Sequence, residues 1–289
     1  MPTVSVIIPC YNHGQYLDDA VESVLRQTYE DFEIIVINDG STDERTNELL
    51  KTYEKPKTRV LHTTNQGLAS ARNSGITEAR GRYILPLDAD DRIGVEYLER
   101  AVKTLDANPQ IGIVYCKAEF FGAASGEWKL PPYSLERMMG DNIIFCSSLF
   151  RKEEWQRVGG YDPRMKYGWE DYEFWLSLLE LGVGVHRIDK TLFYWRIRPD
   201  SMSRSMSKED RTYSFKLIFK KHKALYENNV EALFNAMAYK HNEVVDAYEA
   251  IDVQREAVQE LTDRRPESLK WLAGQFYAEV RRRIARSKA

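Results

Sequence analysis

The segment Tyr83-Ile-Leu-Pro-Leu-Asp-Ala-Asp-Asp91 sets three carboxylates within four positions at the end of a short apolar run. An apolar run of that length reads as a buried strand. Ligands of open α/β sheets bind beyond the carboxyl ends of their strands. Carboxylates placed there suit a hard divalent cation, Mg²⁺ or Mn²⁺, whose usual task is to hold phosphate. The same residues also suit a solvated acidic turn that caps the next helix. An isolated Asp-x-Asp does not separate the two readings.

Other strand ends carry chemistry as well. The run from Val4 leads into Pro9-Cys-Tyr-Asn12, and the run from Phe32 leads into Asn38-Asp-Gly-Ser41. A carboxylate at Asp39 can accept from an imide N–H or a sugar hydroxyl; Asp-Gly is equally ordinary turn chemistry. Asn65 and Gly67 precede a helix start, a position that favours anions. Arg72 follows on that helix, either as a charge for phosphate or as a surface arginine. The segment Gly168-Trp-Glu-Asp-Tyr-Glu-Phe-Trp175 gathers acids and aromatics at another helix start. Its bland reading is an amphipathic helix with core aromatics, and Trp175 fits that reading.

The elements needed to position these residues are legible. Strands are expected over 4–9, 32–38, 59–63 and 83–87. Helices are expected over 15–27, from a capping box at Ser41-Thr-Asp-Glu44 towards Tyr53, and over 67–79. Strands alternating with helices imply a mainly parallel sheet covered on both faces. The strand-end turns then share one edge with Asp88–Asp91. No Gly-x-Gly-x-x-Gly follows any strand, which argues against a dinucleotide fold. The α/β pattern continues over 95–150, and 122–132 reads as a Gly-, Ser- and Pro-rich loop. Beyond about 207 Gly and Pro nearly vanish, and Phe215, Ile218, Phe219 and Leu225 recur at helical spacing. Met237, Val244, Ile251 and Val258 fall seven apart, a weak heptad because His241 and Arg255 occupy the alternate core positions. Past Pro266 a last helix is expected, with the basic cluster Arg281, Arg282, Arg283, Arg286 and Lys288.

The chain has 289 residues, is 43% hydrophobic and 29% charged, and carries a net charge of −3. It reads as a soluble globular protein without the basic excess of a general nucleic-acid binder. Cys10, Cys116 and Cys146 sit in apolar contexts without metal-ligand spacing, so core packing in a reducing compartment is expected. No run approaches the ~20 apolar residues of a membrane span. Met1 leads straight into a strand without a signal-peptide pattern. The expected location is cytoplasmic, with membrane contact limited to the surface.

Four ordered motifs resemble glycosyltransferase family 2, an inverting family with the GT-A fold. They are Val4-Ser-Val-Ile-Ile-Pro-Cys-Tyr-Asn12, Ile37-Asn-Asp-Gly-Ser-Thr-Asp43, Asn65-x-Gly-x-x-x-Ala-Arg-Asn73 and Leu87-Asp-Ala-Asp-Asp91, and the resemblance covers about residues 3–205. It implies a Rossmann-like α/β domain over 1–206, with a nucleotide-sugar half (1–110) and an acceptor half (111–206). An α-helical extension over 207–289 lies outside it.

The resemblance also assigns roles. Pro9, Tyr11 and Asn12 would line the nucleotide pocket, and Asp39 would bind the base, typically uracil. Asn65, Gly67, Arg72 and Ala89 would face the donor. Asp88 would lie near ribose and metal, Asp90 would be the main contact to Mn²⁺ or Mg²⁺, and Asp91 a further participant. Asp171 matches the general base, Glu170 would bind acceptor hydroxyls, and Trp169 would stack on a sugar. The segment from Tyr194 resembles the family's Tyr-Arg-x-His-x-x-Ser loop, but Arg198 stands at the histidine position. Arginine stays protonated and cannot ligate a metal, so Arg198 is expected to pair with the diphosphate.

The implied function is transfer of one sugar from a nucleotide-sugar, of the UDP type, to a hydroxyl of a carbohydrate or lipid-linked glycan, in polysaccharide, lipopolysaccharide or other glycoconjugate assembly. A sugar nucleotidylyltransferase would need a glycine-rich loop after the first strand, which Pro9-Cys-Tyr-Asn-His-Gly14 does not supply. A non-catalytic carbohydrate-binding scaffold of the same fold is the other alternative. The family's processive synthases carry membrane spans and a Gln-x-x-Arg-Trp motif, and the chain shows neither. For the tail, a membrane-surface role of 267–289, dimerisation through the heptad and packing on the catalytic domain all stand open.

Overall fold

A computed structural model describes residues 1–199, 201 and 206–263. The strands are β1 (Val4–Cys10), β2 (Phe32–Asp39), β3 (Thr58–Thr63), β4 (Tyr83–Pro86), β5 (Arg92–Ile93), β6 (Ile111–Gly122), β7 (Gly126–Trp128), β8 (Leu149–Arg151) and β9 (Gly184–Ile197). They join in one sheet of order β3-β2-β1-β4-β8-β6-β9-β5, with β7 paired to β6. β1, β2, β3 and β4 are parallel to one another. Strand β8 runs antiparallel between β4 and β6. The long pair β6 and β9 is parallel again.

Strand β1 is buried along its whole length, as a strand covered on both faces must be. Helix α1 (Gly14–Leu25) buries Leu17, Ala20, Val21 and Val24, an i, i+3, i+4, i+7 stripe. Helix α2 (Glu44–Lys51) starts two residues later than a Ser41 cap requires. Its cap is Asp43, which accepts from Thr46 N at 2.8 Å. Ser41 Oγ instead accepts from Asn12 N, so the hydroxyl is committed to the neighbouring turn.

Helix α3 (Leu68–Glu78) carries Arg72 and lies close against the sheet. A Cβ at Gly75 would come within 2.7 Å of both Ile37 and Ile7. Gly75→Val is expected to destabilise the protein by about 1–3 kcal/mol through overpacking. A fall in the urea midpoint at unchanged slope checks this.

The remaining helices are α4 (Tyr97–Ala107), α5 (Leu135–Gly140), α6 (Lys152–Val158), α7 (Glu170–Glu180), α8 (Lys208–Lys221), α9 (Lys223–Asn228) and α10 (Val230–Asp263). The expected 122–132 loop contains strand β7. Trp128 stacks on Phe120 and lies 4.7 Å from the Trp195 ring, and this packing orders the hairpin against its Gly and Ser content.

The helical extension is joined to the sheet domain. His222 is fully buried; Nε2 lies 3.0 Å from Glu173 Oε1 and Nδ1 2.9 Å from Glu180 Oε2, both on α7. The start of α10 packs on α5: a Cβ at Gly140 would meet Ala236 Cβ at 2.7 Å. Further along α10, Met237, Val244, Tyr248 and Val253 are exposed. Met237 and Val244 belong to the heptad. The expected helix at 267–289 lies outside the described residues. Among the described residues no helix is long and apolar enough to cross a membrane.

Candidate active site

The register places Cys10 beside Asn38 and Ile7 beside Pro86. The turns after β1, β2 and β4 therefore share one edge. They open on a cavity of about 960 Å³, a size suited to a ligand of several rings. Its donor-side wall includes Pro9, Tyr11, Asp39, Asp88, Ala89 and Asp90, and Asn65 and Gly67 border it. Its far wall includes Trp169, Glu170 and Asp171. Most of the expected site residues thus surround one space.

Asn12 is an exception. It takes a left-handed conformation with φ of 57°. Its Oδ1 accepts from Thr42 N and Asp43 N, both at 2.8 Å. It ties the turn after β1 to the turn after β2 and is not part of the cavity wall. The neighbouring His13, which sequence reasoning missed, is part of that wall. Asp39 is buried and holds the next turn, accepting from Thr63 Oγ1 at 3.0 Å and Gly67 N at 3.1 Å.

Arg72 is not the surface arginine of the alternative reading: it is 1% exposed, borders the cavity and is engaged by two carboxylates. Its Nη2 donates to Asp88 Oδ1 at 2.8 Å, and its Nη1 donates to Glu170 Oε1. The guanidinium thus clamps the β4 strand end to the start of α7. Glu170 is 4% exposed, and its Oε1 is committed to this clamp while the residue borders the cavity. Asn73 makes a parallel clamp: Nδ2 donates to Tyr161 O at 2.8 Å, while Oδ1 accepts from Trp155 Nε1 at 3.0 Å.

The three aspartates have separate environments. Asp88 is the most exposed of them, with its second oxygen 3.5 Å from Cys146 Sγ. That thiol lies in the cavity wall. It is not the purely core residue its apolar sequence context suggests. Asp90 forms an ion pair with Arg198 at 2.8 Å. Burial, then the Asp88 charge, raises the Asp90 carboxyl above the usual range, and Arg198 opposes this. Asp91 is 2% exposed and turned to the sheet, where Oδ1 accepts from Arg196 N at 2.8 Å. That contact ties Asp91 to β9, and Asp91 also borders the cavity.

Arg198 also lies 3.1 Å from His13 Nε2. Asp200 and residues 202–205 of its loop lie outside the described residues.

Helix α7 begins at Glu170, and Trp169 precedes it in a left-handed conformation with φ of 68°. The Trp169 ring packs 4.9 Å from Phe215 of α8, leaving it partly exposed at the cavity. Trp175 is fully buried, in the core as expected. Asp171 Oδ2 accepts from Asn142 Nδ2 at 3.0 Å. Burial, and next the adjacent Glu170 charge, pushes the Asp171 carboxyl up to about 7; Arg72 opposes the shift. A carboxyl tuned there is half-ionised near neutrality, where it can take a proton from a hydroxyl. Trp128, Phe145, Phe193 and Trp195 add an aromatic floor. Alternation on β9 is the signal that would have found Phe193 and Trp195.

A mainly parallel sheet with a carboxylate-bearing strand edge, facing a carboxylate on a helix start, is the GT-A architecture. The sequence profile of glycosyl transferase family 2 matches residues 5–159, and the chain belongs to that family. It is 32% identical over 223 residues to the uncharacterized glycosyltransferase EpsJ of Bacillus subtilis, covering 70% of this chain and 63% of that protein. It is 48% identical over 215 residues to an uncharacterized glycosyltransferase of Rickettsia bellii, covering 68% of this chain and 29% of the relative. The crystal structure of S. aureus TarS residues 1–349 in complex with UDP-GlcNAc matches with a TM-score of 0.63 at 22% identity, over 75% of this chain and 65% of that one. At that identity the likeness is one of fold.

Proposed function

We propose that the protein transfers a single sugar from a UDP-sugar to a hydroxyl of a glycan acceptor, with inversion at the anomeric carbon. The observation that carries this reading is Asp171, a carboxyl pushed up to about 7 that faces the Asp88–Asp90 strand edge across one cavity. Asp39 and the turn after β1 receive the nucleoside. The anomeric carbon lies towards Asp171, and the acceptor hydroxyl enters on the far side. Asp171 takes the hydroxyl proton as the oxygen attacks, because a carboxylate is too weak to ionise an alcohol beforehand. Arg198 draws negative charge on the departing diphosphate. Trp169 covers the sugar.

The donor set fits a divalent cation. Asp88 and Asp90 are carboxylates at the cavity wall, and Asp88 disfavours ionisation of Asp90. A cation relieves that repulsion. Among the described residues no group of three or more His, Cys, Asp or Glu is placed to hold a metal. Two carboxylates completed by phosphate oxygens is a usual arrangement for Mg²⁺. Asp88 and Asp90 would hold Mn²⁺ or Mg²⁺, which when bound neutralises charge on the leaving diphosphate. We expect EDTA treatment to abolish transfer and to weaken UDP binding in calorimetry, with Mn²⁺ or Mg²⁺ restoring both. Full activity and unchanged UDP affinity in a metal-free preparation would refute the metal role.

The reading as a whole is tested by UDP release from a panel of UDP-sugars, UDP-GlcNAc first, with Mn²⁺ and excess protein. Failure to release UDP from any of them would overturn it.

A further inference from the structure

The cavity continues beyond Asp171 along a wall built by the β7 hairpin, α5, the segment before Trp169 and the helical extension. Lys129 stands after β7, Lys166 precedes Gly168, and Arg211 lies in α8; all three line the cavity. Among the described residues none of these three side chains has a carboxylate partner. The other cations of this wall are engaged. Lys240 pairs with Asp141 at 2.5 Å and Glu243 at 3.1 Å. Arg137 Nη2 donates to Tyr239 Oη at 2.8 Å and lies over its ring. Glu136 is an acid here without a cation partner, so the wall keeps a net positive charge.

The sign matters because the chain as a whole carries −3, and because acids gather at the other end of the cavity, at Asp39, Asp88 and Asp90. Resting on the transfer reading above, we propose that the acceptor is an anionic glycan, one bearing carboxylate or phosphate groups along its chain. A concave wall of one sign raises the local concentration of ligands of the opposite sign. Lys and Arg pair with both oxyanions. Lys129, Lys166 and Arg211 come from three separate elements, so they can engage successive charges of an extended chain. The helical extension is then part of the acceptor site through Arg211.

The test compares dissociation constants for matched probes at low and high salt. One arm uses a uronate-containing octasaccharide and its carboxyl-reduced counterpart. The other uses an oligo(glycerol phosphate) and uncharged oligoglycerol. Partly solvated ion pairs contribute modestly, and three together support about a tenfold preference. We expect that preference in at least one arm, shrinking as salt is raised. The arm that shows it names the anion. The variant Lys129→Gln/Lys166→Gln/Arg211→Gln, with folding checked by thermal melting, is expected to lose the preference. If the triple variant fails to fold, Lys129→Gln alone is expected to reduce it.

Equal affinity for charged and neutral probes would overturn the proposal, as would binding of none of them. So would retention of the preference by a folded variant. Displacement of the anionic probe by UDP would also overturn it, because the cations would then belong to the donor's phosphates. UDP release from UDP-sugars, measured alongside, separates these failures from failure of the transfer reading.

Discussion

Asp171→Asn is expected to lower sugar transfer by two to four decades, the range of about 10²–10⁴ typical of a lost general base. UDP binding should survive, since Asp171 bonds Asn142 and its own helix start and touches none of the donor-side turns. Single-turnover transfer with saturating donor checks the first expectation and calorimetry with UDP the second. Near-normal turnover would remove Asp171 from the mechanism.

The wild-type pH profile adds a second reading of the same residue. The base works in its ionised form, so transfer should rise with pH through about 7 and then level. Stability carries the opposite sign. An unfolded aspartate titrates near 3.9, so between there and about 7 the folded chain holds a proton that the unfolded chain has lost. Stability from this group is full below the unfolded value and is lost as pH rises through the folded one. In Asp171→Asn that slope should flatten.

Arg72→Leu is expected to be the most destabilising single change at the site. It leaves Glu170, 4% exposed, without its cation, beside the partly ionised Asp171. Removing one partner of a buried pair costs about 3–5 kcal/mol. For a domain of this size the melting temperature should fall on the order of 10 °C. The same substitution removes the charge that holds the Asp171 carboxyl down. The pH midpoint of any residual transfer should therefore move upward, a change that mere loss of stability does not produce. Arg72→Leu combined with Glu170→Leu should regain much of the stability, because an apolar pair replaces a buried ionic one. Transfer should stay low in that double variant, since the tie between Asp88 and α7 is gone. Equal melting temperatures for wild type and Arg72→Leu would contradict the clamp.

How far the sequence reached depends on the range of the interaction that decides each feature. The parallel sheet half was legible because each strand must be apolar along its length and each helix must keep one stripe, and both patterns are local. The Asp88–Asp91 cluster, Asp39 and the start of α7 were legible because they sit at the ends of such elements. The capping of α2 was misplaced because Ser41 and Asp43 are chemically alike as caps. Only the turn after β1, reached through Asn12, shows that the Ser41 hydroxyl is already used.

The amino-acid sequence by itself determined the family, the element order and the set of acids available for chemistry, since these follow from residue type and spacing. Tertiary structure alone decided which acids remain free to act. Glu170 and Asp171 are adjacent carboxylates at one helix start, and nothing in their spacing separates them. Arg72, nearly one hundred positions away, takes Glu170 and leaves Asp171 to titrate at about 7. In the same way the Arg196 backbone N–H engages Asp91, while Asp88 stays the most exposed of the three aspartates. The division of labour among these acids is a matter of long-range pairing and burial, both created when the two halves of the sheet and the helices over them close on one cavity.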